Sequence, residues 1–160
     1  MATKSDLRHV SLSYRASLTD EQIQEKSSIA VSNLVSVIGQ APSIILSYLP
    51  LLARSEINVH GLEKQLPRST VHYVEPRTNA QMPEAPFTHI IVPCVMADLS
   101  GHRLGYGRGW YDRFLLMQSD ATTIGVCYEE NIVKSIPHES HDVRLDYVIT
   151  ESRIIEPQVE

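Results

Sequence analysis

Five short apolar runs limit what this chain can fold into: Ser43–Leu49, Thr70–Val74, His89–Val95, Thr122–Tyr128 and Asp146–Thr150. None is longer than seven residues. That is strand length, and the Ile, Val and Tyr they carry suit a pleated, buried surface. Pro50 closes the first run and Glu75-Pro76 the second, where a missing N–H ends a ladder. Segments with helical signals lie between the runs. Strands that alternate with helices predict a mostly parallel sheet with helices on both faces, a three-layer α/β/α fold. Ligands then belong outside the carboxyl ends of the strands. At 160 residues the chain is expected to form one domain over 1–160, with a polar tail at 156–160 that frays.

Four helices are predicted. Over residues 4–18, Leu7, Val10 and Tyr14 recur at three- and four-residue intervals and form an apolar stripe, while Lys4 and Arg8 share another face. Thr19-Asp20-Glu21-Gln22 is a capping box, and the helix it opens should stop at Gly39, with Ile23, Ser27, Ala30, Leu34 and Val37 packing inward. Ser55 reads as the N-cap of a third helix reaching about Leu66, with Glu56 in its first turn. A fourth should run from about Trp110 to Gln118. The proline-bearing stretch 77–87 is a loop.

Charge narrows the function. Fourteen basic and nineteen acidic residues leave a net charge of −5, which argues against bulk electrostatic binding of nucleic acid. Any anion site must be a local basic patch. Cys94 and Cys127 lie in or beside apolar runs without metal-ligand spacing, as buried free thiols of a cytoplasmic protein do. The N-terminal residues lack an apolar signal region, and no run approaches the length that crosses a membrane.

Such a patch stands at Asp98–Leu116, D-L-S-G-H-R-L-G-Y-G-R-G-W-Y-D-R-F-L-L. Gly105, Gly107 and Gly109 alternate with other residues, Arg103, Arg108 and Arg113 stand among and around them, and Asp112 follows. Glycine lets a ligand approach the backbone, successive N–H groups can form an anion nest, and a helix start adds unpaired donors. Arginine forks suit phosphate oxygens. The other reading is a tight strand-to-helix turn with solvated arginines. Three alternating glycines among three arginines, after a buried strand, favour the anion site. The run is neither the Walker loop nor the dinucleotide fingerprint. Lys4 and Arg8 are either a solvated edge or two cations reaching for a polyphosphate. His138, Glu139, His141 and Asp142 cluster in a later loop. With no third strong ligand at hand, a transition metal is disfavoured. Magnesium bound with phosphates needs only one or two carboxylates, and Asp112 and Asp142 are the pair. Their other readings are a helix-start acid and a turn residue.

The run Arg103-Leu104-Gly105-Tyr106-Gly107-Arg108-Gly109-Trp110-Tyr111-Asp112-Arg113-Phe114-Leu115 resembles the signature of the 5-formyltetrahydrofolate cyclo-ligases, or methenyltetrahydrofolate synthetases. Lys4-x-x-Leu7-Arg8, Tyr48-x-Pro50 with Glu56, Glu75-Pro76, Ile136-Pro137-x-Glu139-x-His141-Asp142 and Asp146–Glu151 are similar to other parts of that pattern, in the same order. The resemblance implies a fold like that of NagB, RpiA and the CoA transferases. It also implies ATP- and Mg2+-dependent cyclisation of 5-formyltetrahydrofolate to 5,10-methenyltetrahydrofolate. Lys4, Arg8, Arg103, Leu104, Gly105, Tyr106, Gly107, Arg108 and Gly109 would hold ATP. Asp112 and Asp142 would hold magnesium, Glu56, Trp110 and Tyr111 would bind the reduced folate, and Arg103, Tyr111 and Asp112 would take part in catalysis. The partners would be small molecules, with neither nucleic acid nor membrane, and the protein a monomer or weak homodimer. Trp110 stands where the family has Tyr or Phe, and the segment between Leu66-Pro67 and Glu75-Pro76 is shorter than in the family pattern, which shortens one wall of the folate pocket. The other readings are a family paralogue acting on a different acceptor and a non-catalytic nucleotide- or folate-binding protein.

Overall fold

The computed structural model describes residues 1–76, 81–84 and 86–158, so the expected loop at 77–87 lies partly outside the described residues. All five apolar runs form strands, four of them slightly shorter than the run and the second over the same residues. These are β1 (Ile44–Tyr48), β2 (Thr70–Val74), β3 (His89–Pro93), β6 (Thr122–Val126) and β8 (Tyr147–Ile149). They hydrogen-bond in the order β2-β1-β3-β6-β8, every pair parallel. A two-residue strand, β9 (Ile154–Ile155), closes the sheet antiparallel to β8. Three more short strands carry no pattern long enough to read: β4 (Met96–Asp98), β5 (Arg103–Leu104) and β7 (Ile132–Val133). They form a second small sheet.

Alternation along the central strands divides the interior into two cores. Ile45, Ile91 and Ile149 face one core; Leu46, Ile90, Val92 and Val148 face the other. The first is covered by α2 (Asp20–Ile38) through Ala30, Val31, Leu34 and Ile38, and the second by α3 (Trp110–Leu116) through Trp110, Phe114 and Leu115. The capping box at Thr19 is formed with both of its reciprocal bonds to Gln22, and Gly39 ends the helix. A third, smaller core under the second sheet joins Val95, Met96, Leu104 and Ile136 to Leu7 and Leu12 of α1 (Lys4–Ala16). Among the described residues no helix is long and apolar enough to cross a membrane.

Two helix expectations need correction. Residues 55–66 do not form a helix. They follow one single 3₁₀ turn, Leu52–Arg54, and contain another, Leu62–Lys64, and Ser55 ends the first turn in a left-handed conformation, φ 51°. Side chains take the backbone groups that a helix would have paired. Tyr128 Oη donates to the Ser55 carbonyl (2.7 Å) and Tyr48 Oη to that of Ile57 (2.8 Å). Ser27 Oγ accepts from Asn58 N–H (2.9 Å), and Tyr73 Oη accepts from Gly61 and Leu62 N–H. Ile57 and Val59 are buried two residues apart, an extended-chain period that β-branched residues favour.

The second correction is the stripe on α1. Leu7 and Tyr14 pack inward, but Val10 is 61% exposed and Arg15 only 3%. The inward face carries Lys4, Arg8, Ser11 and Arg15, because this helix packs against carbonyls and a cavity as well as a core. Ser11 Oγ donates to the Val95 carbonyl, and Arg15 Nη2 to that of Cys94 (2.6 Å).

The tail is also tied down as far as Gln158, whose carbonyl accepts from Arg144 Nη2 (3.1 Å). The β4–β5 turn is fixed by Asp98, 1% exposed, which accepts from Ser100, His102 and Ile136 N–H. Gly101 in this turn has φ 86°, and a Cβ there would meet the Leu145 carbonyl at 2.7 Å. Gly101→Ala is therefore expected to lower stability by about 2–4 kcal/mol, summing left-handed strain and overpacking. The check is the midpoint of urea denaturation; an unchanged midpoint would mean that the turn relaxes freely.

Candidate active site

The carboxyl ends of β1, β2 and β3 open on a cavity of about 460 Å³. Tyr48, Glu75-Pro76 and Pro93 form its strand-end wall, and α1 contributes Lys4, Arg8 and Leu12, spaced four apart along one face. The glycine-rich run supplies Arg103 to Asp112 without interruption, and Asp142 enters from the loop before β8. Leu49, Leu51 and Arg54, from the stretch that follows β1, and Glu56, from the segment that is not a helix, complete it. Every residue to which the family resemblance gives a binding or catalytic role therefore lines a single cavity.

The cationic end is built on backbone. Arg8 Nε donates to the Gly105 carbonyl (2.8 Å), which fixes the guanidinium against the loop. Gly107 has φ 92°, and a Cβ there would stand 3.5 Å from the Arg8 guanidinium carbon. The arginine thus lies against the loop at a left-handed position that favours glycine for its backbone. Arg108 is exposed. Arg113, expected among the phosphate cations, instead donates from Nη1 to the Arg108 carbonyl (3.1 Å) and braces the loop. Because α3 has only seven residues, side-chain charge outweighs its dipole. Leu104 buries its side chain in the third core and accepts through its carbonyl from Val95 N–H (2.8 Å).

The two candidate metal acids are each paired with a candidate phosphate cation. Lys4 Nζ lies 3.2 Å from Asp142 Oδ2, and Arg103 Nη2 lies 3.3 Å from Asp112 Oδ1. Burial raises the Asp142 pKa, but Glu139 N–H and the Lys4 ammonium outweigh it and hold the carboxyl below its usual value. Two hard carboxylates beside fixed cations suit a magnesium ion that arrives with phosphates. Among the described residues, no group of three His, Cys, Asp or Glu could form a cage for a metal. Arg103 Nε, Trp110 Nε1 and Tyr111 Oη are buried donors without a hydrogen-bond partner among the described residues, and all three residues line the cavity. Unpaired buried donors are costly, so they too suit an acceptor-rich ligand.

Glu56 is 3% exposed. Its Oε1 accepts from Tyr106 Oη (2.9 Å) and its Oε2 from Leu51 N–H (2.8 Å). Burial is the largest influence on its carboxyl and raises its pKa, although both bonds and the nearby Arg15 and Arg54 oppose the shift. With no helix here, dipole compensation cannot explain this acid. Arg54 lies 5.0 Å over the Tyr106 ring.

Residues 46–151 match the 5-formyltetrahydrofolate cyclo-ligase family. The chain belongs to that family. A relative in Mycolicibacterium smegmatis, a 5-formyltetrahydrofolate cyclo-ligase, is 42% identical over 65 residues, which is 40% of this chain and 34% of the relative. The Escherichia coli K12 protein of the same description is 30% identical over 115 residues, 71% of this chain and 58% of that one. The chain thus spans between a third and about three-fifths of these curated relatives. Among solved structures, a Mycoplasma pneumoniae 5,10-methenyltetrahydrofolate synthetase superposes with a TM-score of 0.80 at 22% identity, covering 94% of this chain and 99% of that one.

In this cyclo-ligase family member, several site residues were not legible from the sequence. Tyr106's bond to Glu56 depends on a segment expected to be helical, and Arg54 lies in the short turn just before it. Arg15 was hidden by the assumption that the inner face of α1 is apolar; the recurrence of polar residues at 4, 8, 11 and 15 is the signal that could have found it. Trp110 stacks on Phe114 with ring centroids 5.1 Å apart and is 3% exposed, so much of its indole serves the second core as well as the cavity wall.

Proposed function

We propose that this protein catalyses the ATP- and magnesium-dependent cyclisation of 5-formyltetrahydrofolate to 5,10-methenyltetrahydrofolate, with ADP and phosphate as the other products. The observation that carries the proposal is the meeting of Lys4, Arg8 and Arg103 with two carboxylates and the buried Glu56 in one cavity. Family membership supplies the folate.

Lys4, Arg8 and Arg103 bind the nucleotide phosphates, with backbone N–H groups of 105–109. Asp112 and Asp142 would hold magnesium, which would neutralise phosphate charge. The formyl oxygen attacks the γ-phosphorus, the bond to the β-bridging oxygen breaks, and ADP leaves. Electrons from N5 make the formyl carbon an iminium centre bearing a phosphate ester. N10 adds to that carbon and loses its proton; the C–O bond then breaks and phosphate departs. The protein's task is positioning and charge neutralisation, as in other phosphoryl transfers. Glu56, Trp110 and Tyr111 hold the reduced pterin, and the Glu56 charge also favours the iminium. No protein nucleophile is required. Burial pushes the Cys94 thiol up to about 11, which suits an inert thiol.

The test is incubation with 5-formyltetrahydrofolate, ATP and magnesium, following methenyl-folate absorbance and ADP together. Equal appearance of both is expected. ADP formation with another acceptor but none with the folate would assign the cavity to a different substrate, and nucleotide binding without any turnover would make the protein a binding module.

A further inference from the structure

Arg15 is a buried charge that the reaction scheme leaves without a task. It sits on the inner face of α1, 3% exposed, and does not line the cavity. Nη2 donates to the Cys94 carbonyl just beyond β3 (2.6 Å), and Nη1 donates to Tyr106 Oη (3.0 Å). That hydroxyl in turn donates to Glu56 Oε1 at 2.9 Å. A buried cation and a buried anion are therefore joined through one phenol, which accepts from the first and donates to the second. Burial pushes the Tyr106 hydroxyl up to about 12, so it keeps its proton.

We infer that Arg15 is a positioning residue for the folate end of the cavity: anchored on the Cys94 carbonyl, it fixes Tyr106 so that the phenol holds the Glu56 carboxylate in one orientation toward the substrate. The inference rests on the proposed folate reaction for what Glu56 meets, but the chain of contacts stands without it. Three elements distant in sequence, α1, the glycine loop and the segment after β1, are locked by two hydrogen bonds. A tyrosine whose hydroxyl had no cation behind it could rotate or turn its proton away. An arginine this buried is otherwise hard to explain, since an unneeded charge in the interior is destabilising. The charges that bear on Glu56 are Arg15 on α1 and Arg54 on its own segment, and its hydrogen-bond donors are Tyr106 in the loop and Leu51 N–H; Tyr48 at the end of β1, Cys94 after β3, Tyr111 on α3 and Tyr128 after β6 are neutral neighbours that the Glu56 charge helps to keep protonated. Of the two cations, Arg15 alone also bonds to Tyr106.

The experiment compares wild type with Arg15→Met, Arg15→Lys and Tyr106→Phe. In Arg15→Met the KM for 5-formyltetrahydrofolate should rise by at least on the order of tenfold, the loss of about one charge-assisted bond, with the KM for ATP unchanged. The acid limb of kcat/KM should move to higher pH, because Glu56 is then protonated more easily. Arg15→Lys should recover part of both effects. The Glu56 titration, read by carbon-13 NMR and assigned with Glu56→Gln, should move in the same direction without any substrate present. A folded Arg15→Met protein with an unmoved Glu56 titration, or with equal losses for ATP and folate, overturns the inference. If Arg15→Met does not fold, Tyr106→Phe breaks the same chain without stranding a charge, and it must raise the folate KM selectively or the inference fails. If the wild type does not turn over the folate, the proposed function falls, while the substrate-free titration still decides the role of Arg15.

Discussion

Asp112→Asn is expected to lower turnover at saturating substrates by about 100-fold or more, while the protein remains folded. Asparagine is nearly isosteric and keeps an oxygen where Asp112 Oδ1 now accepts from Arg103 Nη2 at 3.3 Å. It lacks the negative charge that a hard cation requires. Two charge-assisted contacts would be weakened, each worth about 1.5–3 kcal/mol, and tenfold in rate corresponds to about 1.4 kcal/mol. The Arg103 side chain is only 6% exposed, so some loss of stability must accompany the change, about 1–2 kcal/mol if the remaining hydrogen bond survives. Two readouts separate the roles. Raising the magnesium concentration should restore part of the activity if Asp112 is a ligand, and should do nothing if it only braces Arg103. Unaltered turnover would remove Asp112 from the site altogether.

The same pair explains a coupling expected between metal and nucleotide. Lys4–Asp142 and Arg103–Asp112 neutralise one another pairwise. A phosphate entering alone must compete with two carboxylates, and a cation entering alone must compete with an ammonium and a guanidinium. Entering together, each finds a partner and none is left unpaired. The net charge of the cavity then changes less than when the nucleotide enters alone, which favours joint binding in a half-buried setting.

How much of this was readable from the residues follows from the range of the forces involved. Strands β1, β3, β6 and β8 were legible because a strand buried on both faces carries few charged side chains, as in Ile44–Tyr48 and Tyr147–Ile149; β2, an edge strand, was legible from its Val and Tyr content and the Glu75-Pro76 that ends it. Helix α2 was legible to the residue because Thr19, Gln22 and Gly39 are local signals. The segment 55–66 was not, because its conformation is decided by Ser27, Tyr48, Tyr73 and Tyr128, partners that lie 9 to 73 positions away on other elements. Strands β4, β5 and β7 are two or three residues each, too short for any period to appear. Within the site, the glycine run and its neighbours were visible as composition. Arg15 was not, since a polar side chain on an inner helix face reads as a mistake until the cavity behind it is known. The short connection between Leu66 and Glu75 pointed to a reduced wall; in the folded chain Leu49, Leu51, Arg54 and Glu75-Pro76 are all part of the cavity lining.

Glu56→Gln is the change in which loss of activity and gain of stability should appear together. Glutamine retains a carbonyl oxygen for Leu51 N–H or Tyr106 Oη but offers no charge to the pterin N–H groups or to the iminium centre. Turnover of 5-formyltetrahydrofolate should fall by about 100-fold or more, with ATP affinity nearly unchanged, because loss of a buried charged partner is a transition-state as well as a binding defect. Stability should move the other way. Burial raises the Glu56 pKa in the folded protein above its ordinary value, even after the opposing pull of Arg15 and Arg54. A carboxyl shifted upward favours the fold in its protonated form, so its stabilising share is complete below the unfolded pKa and is lost as pH rises through the folded one. At neutral pH the wild type therefore carries a charge that the fold resists, and glutamine removes it. Thermal denaturation at pH 7 should show Glu56→Gln melting above wild type, and the gap should close as the pH approaches 4. A variant less stable than wild type at pH 7 would show that the Tyr106 and Leu51 bonds, rather than burial, dominate the energetics of this acid. The direction of that difference thus distinguishes a carboxylate held in place for its chemistry, at a cost to the fold, from one that simply ties three segments together.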